Sequence, residues 1–410
     1  MLAAALAFLA AQAVEAPVER LLLTVPEEYA SLKVHPSFAP NGARAAVRVD
    51  LEDGRSLIVL DGTISAPHAY VSAPVFSDDG AHVAWAWGDR KGKDREEWEI
   101  LVNGKRLKKW DWVGPIVFQP GGSEVAYFAA NDIKLGREGY YEGGDYACVW
   151  GKKKEDGFSD AGWQAPQWTA DGKKIAFLAS KPGGAIVHVD GKNFGPFPWA
   201  SGLTWSADGK DAAWGCVDSS FKSRIWIGKK SFGEGYDAVG APALGPGGAL
   251  AYLASVRGKF ALVFRDELMP GTYDDLGTPC ISPDGKRVAV AANQGRKQEE
   301  YGMSWVAPAW MDGAEVWREA EDDASVCFLV ADGKKVGADW QRVVLPFFSP
   351  DSRHVAARVR GADGWHLVVD ERASPVYDAV GSPRFAPDGA AIEFGARRGR
   401  EVLWVRWPVP

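Results

Sequence analysis

Short apolar runs broken by turn signals recur along this chain, and each run has the length and composition of a half-buried or buried β-strand. The stretch 345–381, LPFFSPDSRHVAARVRGADGWHLVVDERASPVYDAVG, shows the unit. In a sister copy, Ser282-Pro283-Asp284-Gly285 places Ser at i, Pro at i+1 and Gly at i+3, which is type I turn chemistry. A short apolar segment precedes the turn and is opened by a proline, as at Pro279, Pro346 and Pro383. Proline is tolerated there because the first residue of a strand loses little by lacking an N–H. After the turn comes Arg287-Val288-Ala289-Val290-Ala291-Ala292, small and apolar, suited to a strand covered on both faces. A third run, Trp365-His366-Leu367-Val368-Val369, ends in a second turn at Asp370-Glu371, and a fourth, Tyr377-Asp378-Ala379-Val380, leads into the next copy. These are read as strands A to D.

Nine copies align on the first turn, at Asn41-Gly42, Asp79-Gly80, Gly121-Gly122, Asp171-Gly172, Asp208-Gly209, Gly247-Gly248, Asp284-Gly285, Asp351-Ser352 and Asp388-Gly389. Most spacings are close to about 40 residues, the period of a four-stranded propeller blade, which cannot bury both faces alone and must stack on neighbours. The expected fold is therefore all-β, a single β-propeller of nine four-stranded blades, with eight if a copy lacking the turn aspartate is absorbed elsewhere. Residues 17–410 form the propeller, with units starting near 35, 73, 115, 165, 202, 241, 278, 345 and 382. The ninth copy stops at Pro410 without a fourth strand. The segment Glu28-Tyr29-Ala30-Ser31-Leu32 sits before the first copy as Tyr377–Val380 sits before the ninth, and it is expected to close the ring against Val402–Val405.

The pattern Pro-x-Phe-Ser-Pro-Asp-Gly-Lys-Arg-Val-Ala, in near-full form at 279–289, resembles the TolB-type, WD-repeat-like β-propeller repeat over about residues 35–410. The resemblance implies the fold. Its fixed residues make turns, so it implies no activity, and the chain leaves no room for the separate N-terminal domain of TolB proper.

Residues 2–10 are an apolar run followed by small-x-small cleavage candidates at 11–16, too short to span a bilayer. They resemble a signal peptide, residues 1–16, which predicts a periplasmic or secreted protein beginning at Val14 or Pro17. The net charge is −7 without a long basic block, which argues against nucleic acid and anionic membranes as partners. The 19 Trp are expected mainly between the sheets. Cys148, Cys216, Cys280 and Cys327 fall on separate strands, and strand B should lie between the last two, so four buried free thiols are expected.

Candidate chemistry is sparse. No Gly-x-Ser-x-Gly elbow, P-loop, dinucleotide fingerprint or metal-ligand spacing occurs, so no catalytic residue, cofactor or metal is assigned. The histidines His82, His354, His188 and His366 occupy repeat positions, and the turn aspartates form turns. The departures are three long connections between strands B and C, at 88–97, 131–145 and 294–323, all emerging on one face. They supply the candidate binding-face residues Tyr140, Tyr141, Tyr301, Trp305, Trp310 and Trp317. The expected function is a monomeric, non-catalytic scaffold binding a protein or peptide on that face. A carbohydrate-binding or carbohydrate-active propeller is the alternative.

Overall fold

Among the described residues the strands fall into nine antiparallel sheets in chain order. The structure, a computed structural model, describes residues 16–135, 141–161, 164–295 and 326–409. The blades occupy residues 33–64, 70–106, 112–158, 160–197, 199–236, 243–268, 275–340, 342–373 and 379–408, here blades 1 to 9. The copies at Gly121 and Gly247, which lack the turn aspartate, form blades 3 and 6, so the count is nine and not eight. The core lies between neighbouring sheets: Ala84, Ala86 and Ile100 of blade 2 pack with Ile116, Val125 and Tyr127 of blade 3. Small residues on strand B let the sheets approach, and larger apolar residues from strands A and C fill the wedge.

The ring is closed by the N-terminal strand, but by a different segment from the one expected. Val18–Thr24 pairs with Glu401–Pro408 as the outer strand of blade 9, from Val18 opposite Arg406 to Thr24 opposite Glu401. Glu28–Leu32 does not pair there, because Glu27–Tyr29 is a 3-10 turn that leads into strand A of blade 1.

Strand D likewise differs from the expected segment. The outer strand of blade 8 is Arg372–Ala373, directly after the second turn. Ala379–Val380 instead pairs with Ala391–Arg398 and begins strand A of blade 9. The aromatic just before it bridges backward: Tyr377 pairs with Trp365 of the preceding blade. One short segment thus holds the edge of one blade and opens the next. The same double role falls to Trp110, bridged to Trp98, and Tyr273, bridged to Phe260. The aspartate that follows each aromatic caps the corner between strands B and C: Asp111 accepts from Asp132 N–H, Asp274 from Gly295 and Asp378 from Gly399, each at 2.7 Å.

The two tight turns share a face. In the A–B turn, Gly285 N–H donates to Ser282 carbonyl at 2.8 Å, and Ser282 Oγ donates to Asp284 Oδ1 at 2.6 Å. In five of the C–D turns, at Asp61-Gly62, Asn103-Gly104, Asp190-Gly191, Arg265-Asp266 and Asp332-Gly333, both central residues are left-handed, as at Asp61 (φ 48°) and Gly62 (φ 76°), the conformation that matches strand twist in a two-residue hairpin. The residue just after the A–B turn ties adjacent blades. Arg44 pairs with the C–D aspartate Asp61 at 2.5 Å and reaches the Gly80 and Ala81 carbonyls of the next blade at 3.5 and 3.3 Å. Arg287 repeats this with Asp332 at 2.8 Å and the Ser352 and Arg353 carbonyls at 3.1 and 2.7 Å. Lys174 donates to Gly209 carbonyl at 2.9 Å, and Arg20 of the closing strand to Gly42 carbonyl at 2.5 Å. At the same position His82 bonds Asn103 at 2.7 Å and His354 bonds Asp370 at 2.7 Å, so these histidines serve the turn.

Two of the three long connections are not loops. Val83–Arg90 pairs with Glu96–Val102 through Arg90 opposite Glu96, and Val125–Leu135 pairs with Tyr141–Trp150 through Leu135 opposite Tyr141. They are strand pairs carried beyond the sheet. The third springs from a closed ladder end, Gln294 opposite Val326, at the B–C edge of blade 7. The four cysteines are free; Cys148 and Cys216 are buried, whereas Cys280 and Cys327 are only half-buried. Strand B separates the latter two, with Cys280 opposite Ala289 and Asn293 opposite Cys327.

The turn aspartates should make the fold acid-sensitive. Asp171 is held down to about 2 by the Thr169 hydroxyl and the Lys173 N–H, and Asp208 to about 2 by the Lys210 ammonium and the Ser206 hydroxyl. A depressed folded pKa stabilises above the unfolded carboxyl range and is lost as pH falls through the folded value. Thermal melts should therefore drop between about pH 4 and about pH 2. Asparagine keeps the turn, as Asn41 does by accepting from Ala43 N–H at 2.9 Å. The Asp171→Asn/Asp208→Asn protein should lose less melting temperature over that interval than the parent. Equal losses in both would remove the assignment.

Candidate binding face at the B–C hairpins

Glu96 and Trp98 are two apart on strand C of blade 2, so both side chains project on one face. Trp98 lies opposite Gly88, where a Cβ would come within 2.5 Å of the indole; the missing side chain is what lets the ring lie flat across strand B. The indole stacks on Tyr70 of strand A at 5.5 Å and 18°, and its Nε1 donates to Glu96 Oε2 at 3.0 Å. Tyr141, from the hairpin of blade 3, donates its hydroxyl to the same oxygen at 2.7 Å. Glu96 is only 4% exposed although it lies near the hairpin end. Two donors on one buried oxygen satisfy a charge that would otherwise be costly to desolvate. Burial and the Glu96 carboxylate push the Tyr141 phenol well above its ordinary range, so it stays a neutral donor.

Rings and charges continue on both faces of blade 2 at this edge, Trp112 and Tyr146 on the side of the cluster and Trp87, Glu97 and Glu99 on the other side of the sheet, toward blade 1. Trp112 meets Tyr141 edge-on at 6.4 Å and Tyr146 at 5.7 Å. Exposed Arg90 donates to the Tyr70 hydroxyl at 3.3 Å. His68 stacks on Trp87 at 3.9 Å while bonding Asp89 at 2.8 Å, and Arg106 covers the same indole at 5.4 Å. Lys109 pairs with Glu97 at 2.9 Å and with buried Glu99 at 3.3 Å. Half-exposed rings held by a hydrogen-bonded carboxylate are suited to recognition, because little ordering remains to be done on binding.

Of the sequence-predicted residues, Tyr141 belongs to this cluster, at 36% exposure. Tyr140, Tyr301, Trp305, Trp310 and Trp317 lie outside the described residues. Glu96, Trp98 and Tyr70 join the cluster from strands that carry no loop signal in the sequence. The available signal was the Glu-x-Trp alternation in a strand directly after a long connection.

The opposite face, where the tight turns meet, carries a cavity of about 650 Å³ between blades 3 and 4, lined among others by Glu124, Trp150, Lys152, Trp168 and Asp190. His188 borders it but is fully engaged. Its Nδ1 lies 2.8 Å from Glu155 Oε2, Gly191 N–H donates to Nε2 at 3.1 Å, and the ring stacks on Phe177 at 4.4 Å. These partners place the proton on Nδ1 and give the ring a structural part. Among the described residues no three His, Cys, Asp or Glu side chains converge on a point that could hold a metal ion. No helix among them is long and apolar enough to cross a membrane.

No family model and no curated protein matches the chain. Solved propellers resemble it weakly. A eukaryotic initiation factor shares 11% identity over 89% of this chain and 90% of its own, with a TM-score of 0.45. The Dos1 propeller shares 9% over 96% and 95%, with a TM-score of 0.43. TolB from Acinetobacter baumannii shares 12% over 78% and 79%, with a TM-score of 0.32. At such scores the functional argument rests on the residues themselves.

Proposed function

We propose that this chain is an exported, non-catalytic propeller scaffold that binds a protein or peptide through the face carrying the extended B–C hairpins. The observation that carries the reading is the Glu96–Trp98–Tyr141 cluster. It joins the hairpins of two blades and leaves aromatic faces half-exposed beside Arg90. Aromatic residues and arginine are the side chains on which binding energy concentrates at protein interfaces. The connection that leaves the B–C edge of blade 7 at Gln294 and returns at Val326 carries four further large aromatics in its sequence, Tyr301, Trp305, Trp310 and Trp317. Cleavage at Val14 or Pro17 would leave the closing strand Val18–Thr24 intact, which is compatible with export.

The test begins with a partner found by pull-down from the host envelope and extracellular fractions, beside a glycan array. Tyr141→Ala and, separately, replacement of residues 296–323 by a short glycine-containing turn should leave the ring folded. Each should weaken the partner at least roughly tenfold, the loss expected for an interface anchor. Undiminished binding by both variants would place the site elsewhere, and selective glycan capture would favour the carbohydrate alternative.

A further inference from the structure

The cavity between blades 3 and 4 lies where sibling blades place a guanidinium. In blade 1, Arg44 lies over Phe76 of the next blade at 5.7 Å, pairs with Asp61 and reaches the two A–B turn carbonyls. In blade 7, Arg287 lies over Phe348 at 5.1 Å with the corresponding aspartate and carbonyls. Counting from the turns, the arginine position in blade 3 is Glu124, the aspartate position is Gly151, and the aromatic of blade 4 is Trp168. The carboxylate has changed places. A Cβ on Gly151 would sit 2.2 Å from Glu124 Oε2, so Glu124 lays its acid where the turn aspartate stands in the siblings. The acid, the aromatic ring and the A–B turn carbonyls are all kept, and the guanidinium is gone.

We propose that this cavity receives an arginine side chain from a peptide or protein partner. The incoming guanidinium takes the part of Arg44 and Arg287: it pairs with Glu124, lies against Trp168 and donates to the Lys173 carbonyl. A planar cation suits the site because its face stacks on the indole while its edge bonds the carboxylate. The neighbouring Gly172 carbonyl already accepts from Gln119 Nε2 at 2.7 Å, which leaves one lone pair for the ligand. Of the lysines in the lining, Lys173 is paired with Asp171 at 3.3 Å, while Lys152 and Lys153 favour an acidic residue beside the arginine. The site faces away from the B–C hairpins, and the proposal stands independently of the reading above.

Calorimetric titration of the full chain with N-acetyl-arginine methylamide, and with its citrulline and lysine counterparts, tests it. Arginine should bind, with the neutral isostere and the lysine at least roughly tenfold weaker. Glu124→Gln should weaken arginine by roughly tenfold while leaving the fold intact. Glu124→Arg/Gly151→Asp should rebuild the sibling contact, fill the cavity and abolish binding. No binding by the parent, citrulline or lysine as tight as arginine, or an undiminished Glu124→Gln protein would overturn the proposal. The glutamine variant decides even if the double variant fails to fold.

Discussion

Removal of residues 1–24 should lower the apparent melting temperature by on the order of 10 °C and turn the protein toward association. The strand Val18–Thr24 is largely exposed, so its worth lies less in apolar burial than in the ladder it completes along Glu401–Pro408. Several net backbone hydrogen bonds are lost at about 1 kcal/mol each. Glu19 adds a charged clasp: both its oxygens accept from Arg398, at 2.8 Å each, and one also accepts from the Tyr377 hydroxyl at 2.8 Å. Tyr377 is 2% exposed, and deletion removes both the partner of its hydroxyl and part of its cover. The whole effect is about 5 kcal/mol or more. The open edge of Glu401–Pro408 is then free to pair with another chain. A synthetic peptide of residues 16–26 should restore the melting temperature in trans. Deletion of residues 1–24 without loss of stability, or no rescue by the peptide, would show that the clasp is dispensable.

Gly395→Val is the second large loss expected. Gly395 lies on strand B of blade 9, and Phe38 of blade 1 rests on it so closely that a Cβ would meet the ring at 2.1 Å. A glycine is required here by the approach of an aromatic from the next blade, since Gly395 is absent from the residues with positive φ. Gly381 supports the same ring, with a Cβ position 2.6 Å from it. Overpacking at this seam should cost about 3 kcal/mol, because neither strand can retreat without breaking its ladder. The Phe38→Ala/Gly395→Val protein should be more stable than the sum of the single losses, since the smaller ring position admits the added methyls. Additive losses in denaturant melts would mean that the two residues do not share the contact.

The turns were legible because their chemistry is local: a proline, an aspartate and a glycine in fixed order determine four residues without reference to the rest of the chain. Strand D was not, since Arg372–Ala373 has only two residues and no apolar pattern, and is a strand solely by virtue of its partner. Tyr377–Val380 resembles an outer strand because the segment touches the older blade, through the Tyr377–Trp365 bridge, before entering the newer one. That displacement carried over to the closing strand, which was sought one segment too late. At the candidate site Tyr141 stood out by lying in a long connection. Glu96, Trp98 and Tyr70 come from strands C and A and meet Tyr141 only once two blades stand side by side. No spacing along the chain encodes such a meeting.

The arginine and lysine contacts at the tight turns have a consequence for how such a ring can change. They tie blade to blade along one rim: Arg44 to Gly80, Lys174 to Gly209, Arg287 to Ser352 and Arg20 to Gly42. On that rim an added residue would break a two-residue turn and a link to the neighbour together. On the other rim the blades are joined through the D–A segments and, between blades 2 and 3, through the Tyr141–Glu96 bond, and there the chain has already lengthened two hairpins and admitted an insertion. New sequence can accumulate on one side of the molecule while the other keeps the blades in register, so a foreign domain spliced between Arg360 and Trp365 should be carried as cargo by an unaltered wheel.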